Sequence, residues 1–182
     1  HRGVESCVLT FEPHPRDYFS RKLGKPEMAP ARIATLRDKL TELERCGIDQ
    51  VVVLRFDERL ASQSAESFIK DTLVRGLGVR YVLVGDDFRF GCDRVGDFDF
   101  LQQAGLMQKF TVEAAQTVEL DGVRISSTKV RDALASADFG LAERLLGRPF
   151  TIEGRVLHGQ KLARQLGTPT ANIQLKRRRA PL

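Results

Sequence analysis

No stretch of this sequence is apolar for long, cysteines are few, and outside one short run the charges nearly balance. The longest apolar runs, Val51 to Leu54 and Tyr81 to Val84, fall far short of the ~20 residues a bilayer-spanning helix needs, so no membrane association is expected. The first residues lack the charged start and apolar core of a secretory signal. Cys7, Cys46 and Cys92 are odd in number and widely spaced, with no Cys-x-x-Cys pair. That pattern offers neither a zinc site nor a disulfide framework, and a reducing, cytoplasmic setting is expected. The net charge is +5, of which Lys176, Arg177, Arg178 and Arg179 supply four units. The rest of the chain therefore has no broad basic face of the kind nucleic-acid binding requires. The basic run reads as a solvated turn, and no internal repeat or other biased tract accompanies it.

What is present is a chain of 182 residues, 42% hydrophobic and 29% charged, which suits one globular domain, or one domain and part of another. Up to Gly147, short β-rich runs alternate with helical periodicity. Val4 to Phe11 reads as a strand. Ile33, Leu36, Leu40 and Leu43 share a helical face, with Thr35 and Asp38 spaced as a capping pair and Gly47 as the stop. Val51 to Phe56 is a second strand, and a helix over 64–75 turns Ala65, Phe68, Ile69 and Leu73 inward. Arg80 to Val84 and Phe110 to Ala114 are further strands around a helix that Asp97 can cap. Helices from about Ser127 and from Asp138 end at Gly147. This order predicts an α/β fold, an open parallel sheet with helices on both faces, whose ligands bind beyond the carboxyl ends of the strands.

After Gly147 the texture changes. Arg148-Pro149 breaks the helix, Phe150 to Leu157 alternates as a strand would, and Gly154, Gly159 and Gly167 punctuate the remainder. A piece below about 40 residues rarely supports its own core, so residues 148–182 read as the opening of a second domain.

Four segments carry candidate chemistry. In Ile125-Ser126-Ser127-Thr128-Lys129-Val130-Arg131, hydroxyls meet the outward N–H groups of a helix start. Lys129 and Arg131 there oppose the helix dipole by some tenths of a kcal/mol, a placement an anion such as phosphate would reverse. The plainer alternative is that Ser126 or Ser127 caps the helix, although a capping box wants Glu or Gln where Lys129 or Val130 stands. In Phe11-Glu12-Pro13-His14-Pro15, two prolines hold His14 in a stiff extended loop, which suits either ligand contact or a plain turn. In Gly85-Asp86-Asp87-Phe88-Arg89-Phe90-Gly91, adjacent carboxylates need a compensating partner. Phe88 and Phe90 could there either fill the base of the loop or face a flat ring. In Gly167-Thr168-Pro169-Thr170-Ala171-Asn172, Thr170 and Asn172 would share one face of an extended segment and could meet Mg²⁺ and phosphate oxygens, or simply form a turn.

Taken together and in their order along the chain, with the junction Leu145-Leu146-Gly147-Arg148-Pro149-Phe150 and the segment Gly154 to Ile173, these stretches resemble the bacterial bifunctional riboflavin kinase/FAD synthetase family. The resemblance implies an FMN adenylyltransferase domain of nucleotidylyltransferase type over 1–147. It also implies the start of a flavokinase β-barrel over 148–182. It implies that Ser127, Thr128 and Arg131 contact ATP phosphates, with Arg124 and Lys129 nearby. Pro13, His14, Asp87 and Phe88 would line the nucleotide and flavin site. In the kinase half, Thr170 would meet Mg²⁺, and Gly159, Lys161 and Asn172 would join it around ATP.

The substrates and products implied are ATP, riboflavin, FMN and FAD. Two transfers follow: γ-phosphoryl to riboflavin, then adenylyl to FMN with release of pyrophosphate. Neither needs a covalent enzyme intermediate, because alignment and charge neutralisation supply most of the acceleration.

Departures accompany the matches. The chain opens at His1 and shows neither the family's Gly-x-Phe-Asp-Gly-x-His-x-Gly-His motif nor the later kinase strands and glutamate. Ala163 stands where glycine is usual and Thr168 where an aromatic residue is common. An internal fragment, inactive or weakly nucleotide-binding by itself, is the expectation. The alternatives are a nucleotidylyltransferase for pantetheine phosphate or a nicotinate nucleotide, and a non-catalytic nucleotide- or flavin-binding module.

Overall fold

The computed structural model describes residues 3–85, 87–157 and 172–175. The chain divides into two compact units. One comprises 1–10, 25–52 and 119–182, the other 11–24 and 53–118.

The unit built from the chain's middle contains the helix that the sequence periodicity predicts. Ser64 caps it, its hydroxyl accepting from the Ser67 N–H, and α-turns over Ala65–Ser67 widen into a π-helix over Phe68–Gly76. Ala65, Phe68, Ile69 and Leu73 are all buried, as their spacing requires. Phe90, Leu101, Ala104 and Phe110 are buried in the same unit, with Leu101 fully enclosed. Leu101 and Ala104 belong to helix Phe98–Gln108, capped by Asp97 through the Phe100 N–H. Strands Tyr81–Val84 and Thr111–Ala114 pair in parallel, Tyr81 opposite Thr111 and Val84 opposite Ala114.

Helix Pro15–Lys22 also lies in this unit and was not anticipated. Its start has the usual form, with His14 at the cap and Pro15 in the first turn, where a missing N–H costs nothing. A short helix, Glu58–Ala61, follows the cap residue Asp57.

In the other unit, Thr35 and Asp38 form the reciprocal capping box at the start of helix Leu36–Arg45. Helices Ser127–Ala135 and Phe139–Leu146 form a hairpin whose core is Val130, Ala133, Leu134, Ala142 and Leu145. Ile33, Leu120, Ile125, Leu146 and Phe150 pack against it. Asp138 caps the second of these helices and Gly147 ends it in the left-handed conformation. An antiparallel hairpin of Glu119–Leu120 with Val123–Arg124 precedes them. It turns on Asp121-Gly122, both at positive φ, the combination a two-residue hairpin turn favours.

Just after Gly147, Arg148 is fastened to this unit. Arg148 Nε meets Glu42 Oε2 at 2.9 Å, and Glu42 Oε1 accepts from Arg45 at 2.7 Å.

Strands Cys7–Glu12 and Gln50–Arg55 pair. Gln50 donates to the Ser6 carbonyl and Phe56 to that of Glu12, so the two strands run in the same direction. The strand expected over Phe150 to Leu157 is confined to Arg155–Leu157, which pairs antiparallel with Asn172–Gln174. The fold is thus mixed α/β with small parallel sheets. In chain order we label the strands Cys7–Glu12, Gln50–Arg55, Tyr81–Val84, Thr111–Ala114, Glu119–Leu120, Val123–Arg124, Arg155–Leu157 and Asn172–Gln174 as β1 to β8. The helices Pro15–Lys22, Leu36–Arg45, Glu58–Ala61, Ala65–Ser67, Phe98–Gln108, Ser127–Ala135 and Phe139–Leu146 are α1 to α7.

Candidate functional site

The β5–β6 hairpin delivers Arg124, and two residues later Ser126 caps α6, its hydroxyl accepting from the Lys129 N–H at 3.3 Å. Ser126 therefore does the capping. Ser127, Thr128 and Lys129 occupy the first turn with exposed side chains, and Ile125 and Val130 anchor that turn in the α6–α7 core. No acidic residue stands in the turn to meet the helix dipole. This leaves two hydroxyls, a lysine and the outward N–H groups of a helix start together, an arrangement suited to an anion. The Arg131 Nε donates to the Ala31 carbonyl at 2.7 Å, which ties Ala31 to α6. Sequence reasoning missed Ala31, because a backbone acceptor 100 residues away leaves no mark in composition or spacing.

In the other unit, His14 caps α1, and its Nδ1 accepts from the Arg16 N–H at 3.1 Å. An acceptor Nδ1 in a neutral imidazole leaves the proton on Nε2. Pro13, just before it, follows Glu12 through a cis peptide bond. Below α1 lie four rings, Phe11, Tyr18, Phe19 and Phe56, in edge-to-face contacts with centroids 5.3 to 5.8 Å apart. The Tyr18 hydroxyl donates to Glu58 Oε2 at 2.5 Å, and Lys22 Nζ lies 2.8 and 2.9 Å from the two carboxylate oxygens. The hydrogen bond from Lys22 first, and that from Tyr18 second, hold the Glu58 carboxyl below its ordinary range. The same carboxylate raises Tyr18 and Lys22 above theirs. Glu58 too escaped the sequence reading.

The loop after β3 turns tightly, Phe88 N–H donating to the Gly85 carbonyl at 3.0 Å. Asp87 is exposed, and a Cβ at Gly85 would stand 2.9 Å from its carboxylate. Asp86 lies outside the described residues, so the paired-carboxylate expectation rests here on Asp87 alone. Both expectations for the phenylalanines bear on this loop. Phe90 is buried against Phe68 and Phe100, while Phe88 stacks on Phe90 at 5.4 Å and stays half-buried. Arg89 pairs with Asp97 at 2.7 Å across the same loop. The Phe100 N–H, and after it Arg89, hold Asp97 below the ordinary carboxylate range.

Asn172 begins β8 and stands opposite Leu157. Gly159, Lys161 and Thr170 lie outside the described residues. Among the described residues no cluster of His, Cys, Asp and Glu is suited to hold a metal ion, and no helix is long and apolar enough to cross a membrane.

Comparison with known proteins bears directly on these segments. The FAD synthetase family model matches residues 1–129 and the riboflavin kinase model residues 146–182. A bifunctional riboflavin kinase/FMN adenylyltransferase of Pseudomonas fluorescens is 67% identical over 180 residues, covering 99% of this chain and 56% of that protein. Relatives of the same description in Escherichia coli and Haemophilus influenzae are 49% and 50% identical, over 100% and 99% of this chain and 56% and 57% of theirs. The chain thus spans a little over half the length of these curated relatives. A solved structure described as a macrolide-efflux protein from Streptococcus pneumoniae superposes with a TM-score of 0.68. It is 22% identical over 96% of this chain and 66% of its own, a likeness of fold alone. With its model matched over residues 1–129, the chain belongs to the FAD synthetase family.

Proposed function

We propose that the protein carrying this chain makes FAD in two steps. The riboflavin kinase half, from residue 148 onward, phosphorylates riboflavin with ATP. The FMN adenylyltransferase half, over 1–147, joins FMN to the adenylyl group of a second ATP. The observation that carries this reading is the α6 start: Ser126 serves as cap, so Ser127, Thr128 and Lys129 are left exposed around outward N–H groups. The names of relatives up to 67% identical agree with it.

In this reading Ser127, Thr128 and Arg131 bind ATP phosphates, with Lys129 beside them. Arg124 stands at the approach, and Arg131 holds the Ala31 segment beside them. Charge spreading onto the phosphates is neutralised by groups already in position, which costs no reorganisation when the bond breaks. Pro13, His14, Asp87 and Phe88 complete the nucleotide and flavin contacts. Asn172, with Gly159, Lys161 and Thr170, serves the kinase half, and Mg²⁺ arrives with ATP. The architecture belongs to the same proposal: one open parallel sheet with helices on both faces, to which the parallel pairs β1–β2 and β3–β4 contribute. A cytoplasmic setting agrees with the unpaired Cys7, Cys46 and Cys92.

The test uses the longer protein with FMN, ATP and Mg²⁺, following FAD by chromatography. Arg131→Ala should lower adenylyl transfer at least about tenfold, roughly 1.4 kcal/mol, with riboflavin phosphorylation unchanged. Equal loss of both reactions would trace the effect to folding and remove Arg131 from the site.

A further inference from the structure

We infer that Arg89 is a positioning residue for Phe88: with Asp97 it closes a short ribbon that presents the Phe88 ring to a flat fused aromatic ring, adenine or isoalloxazine. Phe90 and Gly96 exchange both backbone hydrogen bonds at 3.0 Å, an antiparallel bridge that leaves 89 and 97 as the next pair along. Alternation puts Phe88 and Phe90 on one face of such a ribbon and Arg89 on the other. The side chains agree. Phe88 stacks on Phe90 with centroids 5.4 Å apart and planes 17° apart, and Arg89 Nη1 donates to Asp97 Oδ2 at 2.7 Å.

Each face is secured to the start of α5. Phe90 is buried and meets Phe100 edge-on, and a Cβ at Gly96 would strike the Phe90 ring at 2.7 Å, so glycine there makes room for it. On the other face, Asp97 uses Oδ1 to cap α5 through the Phe100 N–H at 2.9 Å and Oδ2 to hold Arg89. Phe90 thus backs Phe88, while the ion pair keeps the ribbon from rolling about its bridge. The paired side chains are 45% and 38% exposed, so they add little to global stability, and their effect falls on the angle of Phe88. Phe88 itself stays half-buried, and a ring backed by another on one side can take a further flat ring by offset stacking. On the reading proposed above, Phe88 contacts the nucleotide or flavin, and Arg89 acts through it.

In the longer protein, FAD formation gives a KM for FMN and a KM for ATP, with riboflavin phosphorylation as internal control. Arg89→Ala, and Asp97→Asn whose amide can still cap α5, should each raise the KM of the substrate whose ring meets Phe88. The expected rise is about three- to tenfold, the span of one lost ring contact. The other KM, kcat and the kinase rate should stay within about twofold. A raised KM for FMN identifies isoalloxazine, and a raised KM for ATP identifies adenine. The double variant should be no worse than either single one, and Arg89→Lys should recover most of the loss. If Phe88→Ala leaves both KM values unchanged, the contact reading of Phe88 fails and the inference with it. If Phe88→Ala raises a KM that Arg89→Ala and Asp97→Asn leave alone, the inference alone is overturned. Losses that fall equally on the kinase reaction mark a folding defect and overturn it too.

Discussion

Replacing Gly91 with alanine should damage the fold far more than its place in a surface loop suggests. Gly91 has φ 75° and ψ 167°, a region almost reserved for glycine, where another residue costs about 1–3 kcal/mol. A Cβ there would also stand 2.6 Å from the Ala65 nitrogen and 2.8 Å from its Cα. That obstacle is backbone, held by the Ser64 cap and by the Cys92 N–H bond to the Gln63 carbonyl at 2.8 Å. It cannot yield as a side-chain tip would, and overpacking of this kind costs about 1–3 kcal/mol more. The sum is about 4 kcal/mol, a fall of ~10 °C in melting temperature for a chain of this size.

Gly122→Ala is the matched control. Its φ is also 75°, but nothing lies within 4 Å of the added carbon, so only the left-handed backbone term of about 1–2 kcal/mol applies. Thermal unfolding followed by circular dichroism compares the two. A Gly91→Ala chain that melts within about 2 °C of Gly122→Ala would refute the close-approach argument.

Two further outcomes are expected. Asp97 has a depressed folded pKa, through Phe100 first and Arg89 after it. Its charge therefore stabilises above the ordinary carboxylate pKa of about 4, and that contribution is lost as pH falls through the lower folded value. Stability of Asp97→Asn should accordingly change less than that of the wild type as pH drops across this window, as read from urea unfolding at each pH; parallel curves would dismiss the link. In the longer protein, Asn172→Ala should abolish FMN formation while FAD formation from supplied FMN persists. A normal kinase rate with a stability loss of about 1 kcal/mol would make Asn172 a structural residue instead.

Much of the scaffold was legible because it depends on near neighbours. Ala65, Phe68, Ile69 and Leu73 recur at helical intervals and are buried, even though the helix there widens to a π-turn. The Thr35–Asp38 box and the caps at Asp97 and Asp138 are written in residues three apart. Helix α1 was hidden by its own start, since Pro13-His14-Pro15 reads as a loop, and Ser20 is its sole buried residue. The Asp121-Gly122 hairpin carried a turn signal that went unused, because its strands are only two residues each. At the candidate site, the hydroxyls and cations of 124–131 were visible. The Ala31 carbonyl that meets Arg131 was not, nor in the other unit was Glu58 beside Tyr18 and Lys22, because bonds spanning 100 and 40 positions depend on the folded chain bringing distant residues together.

The junction after α7 has a mechanical consequence. A glycine followed by Arg-Pro at a helix end invites a pivot, yet Gly147 sits between two fastened points. Leu146 and Phe150 are seated against the α6–α7 core, and Arg148 is latched to Glu42, itself braced by Arg45. Turning the chain at Gly147 would mean wetting Phe150 and parting a half-buried carboxylate from its guanidinium in the same movement. Residues 146–150 therefore act as a bracket bolted to the first half, although the riboflavin kinase match already begins at 146. A chimera that exchanges the chain beyond this bracket between relatives should be spliced at Thr151, leaving Phe150 with the helices it packs against.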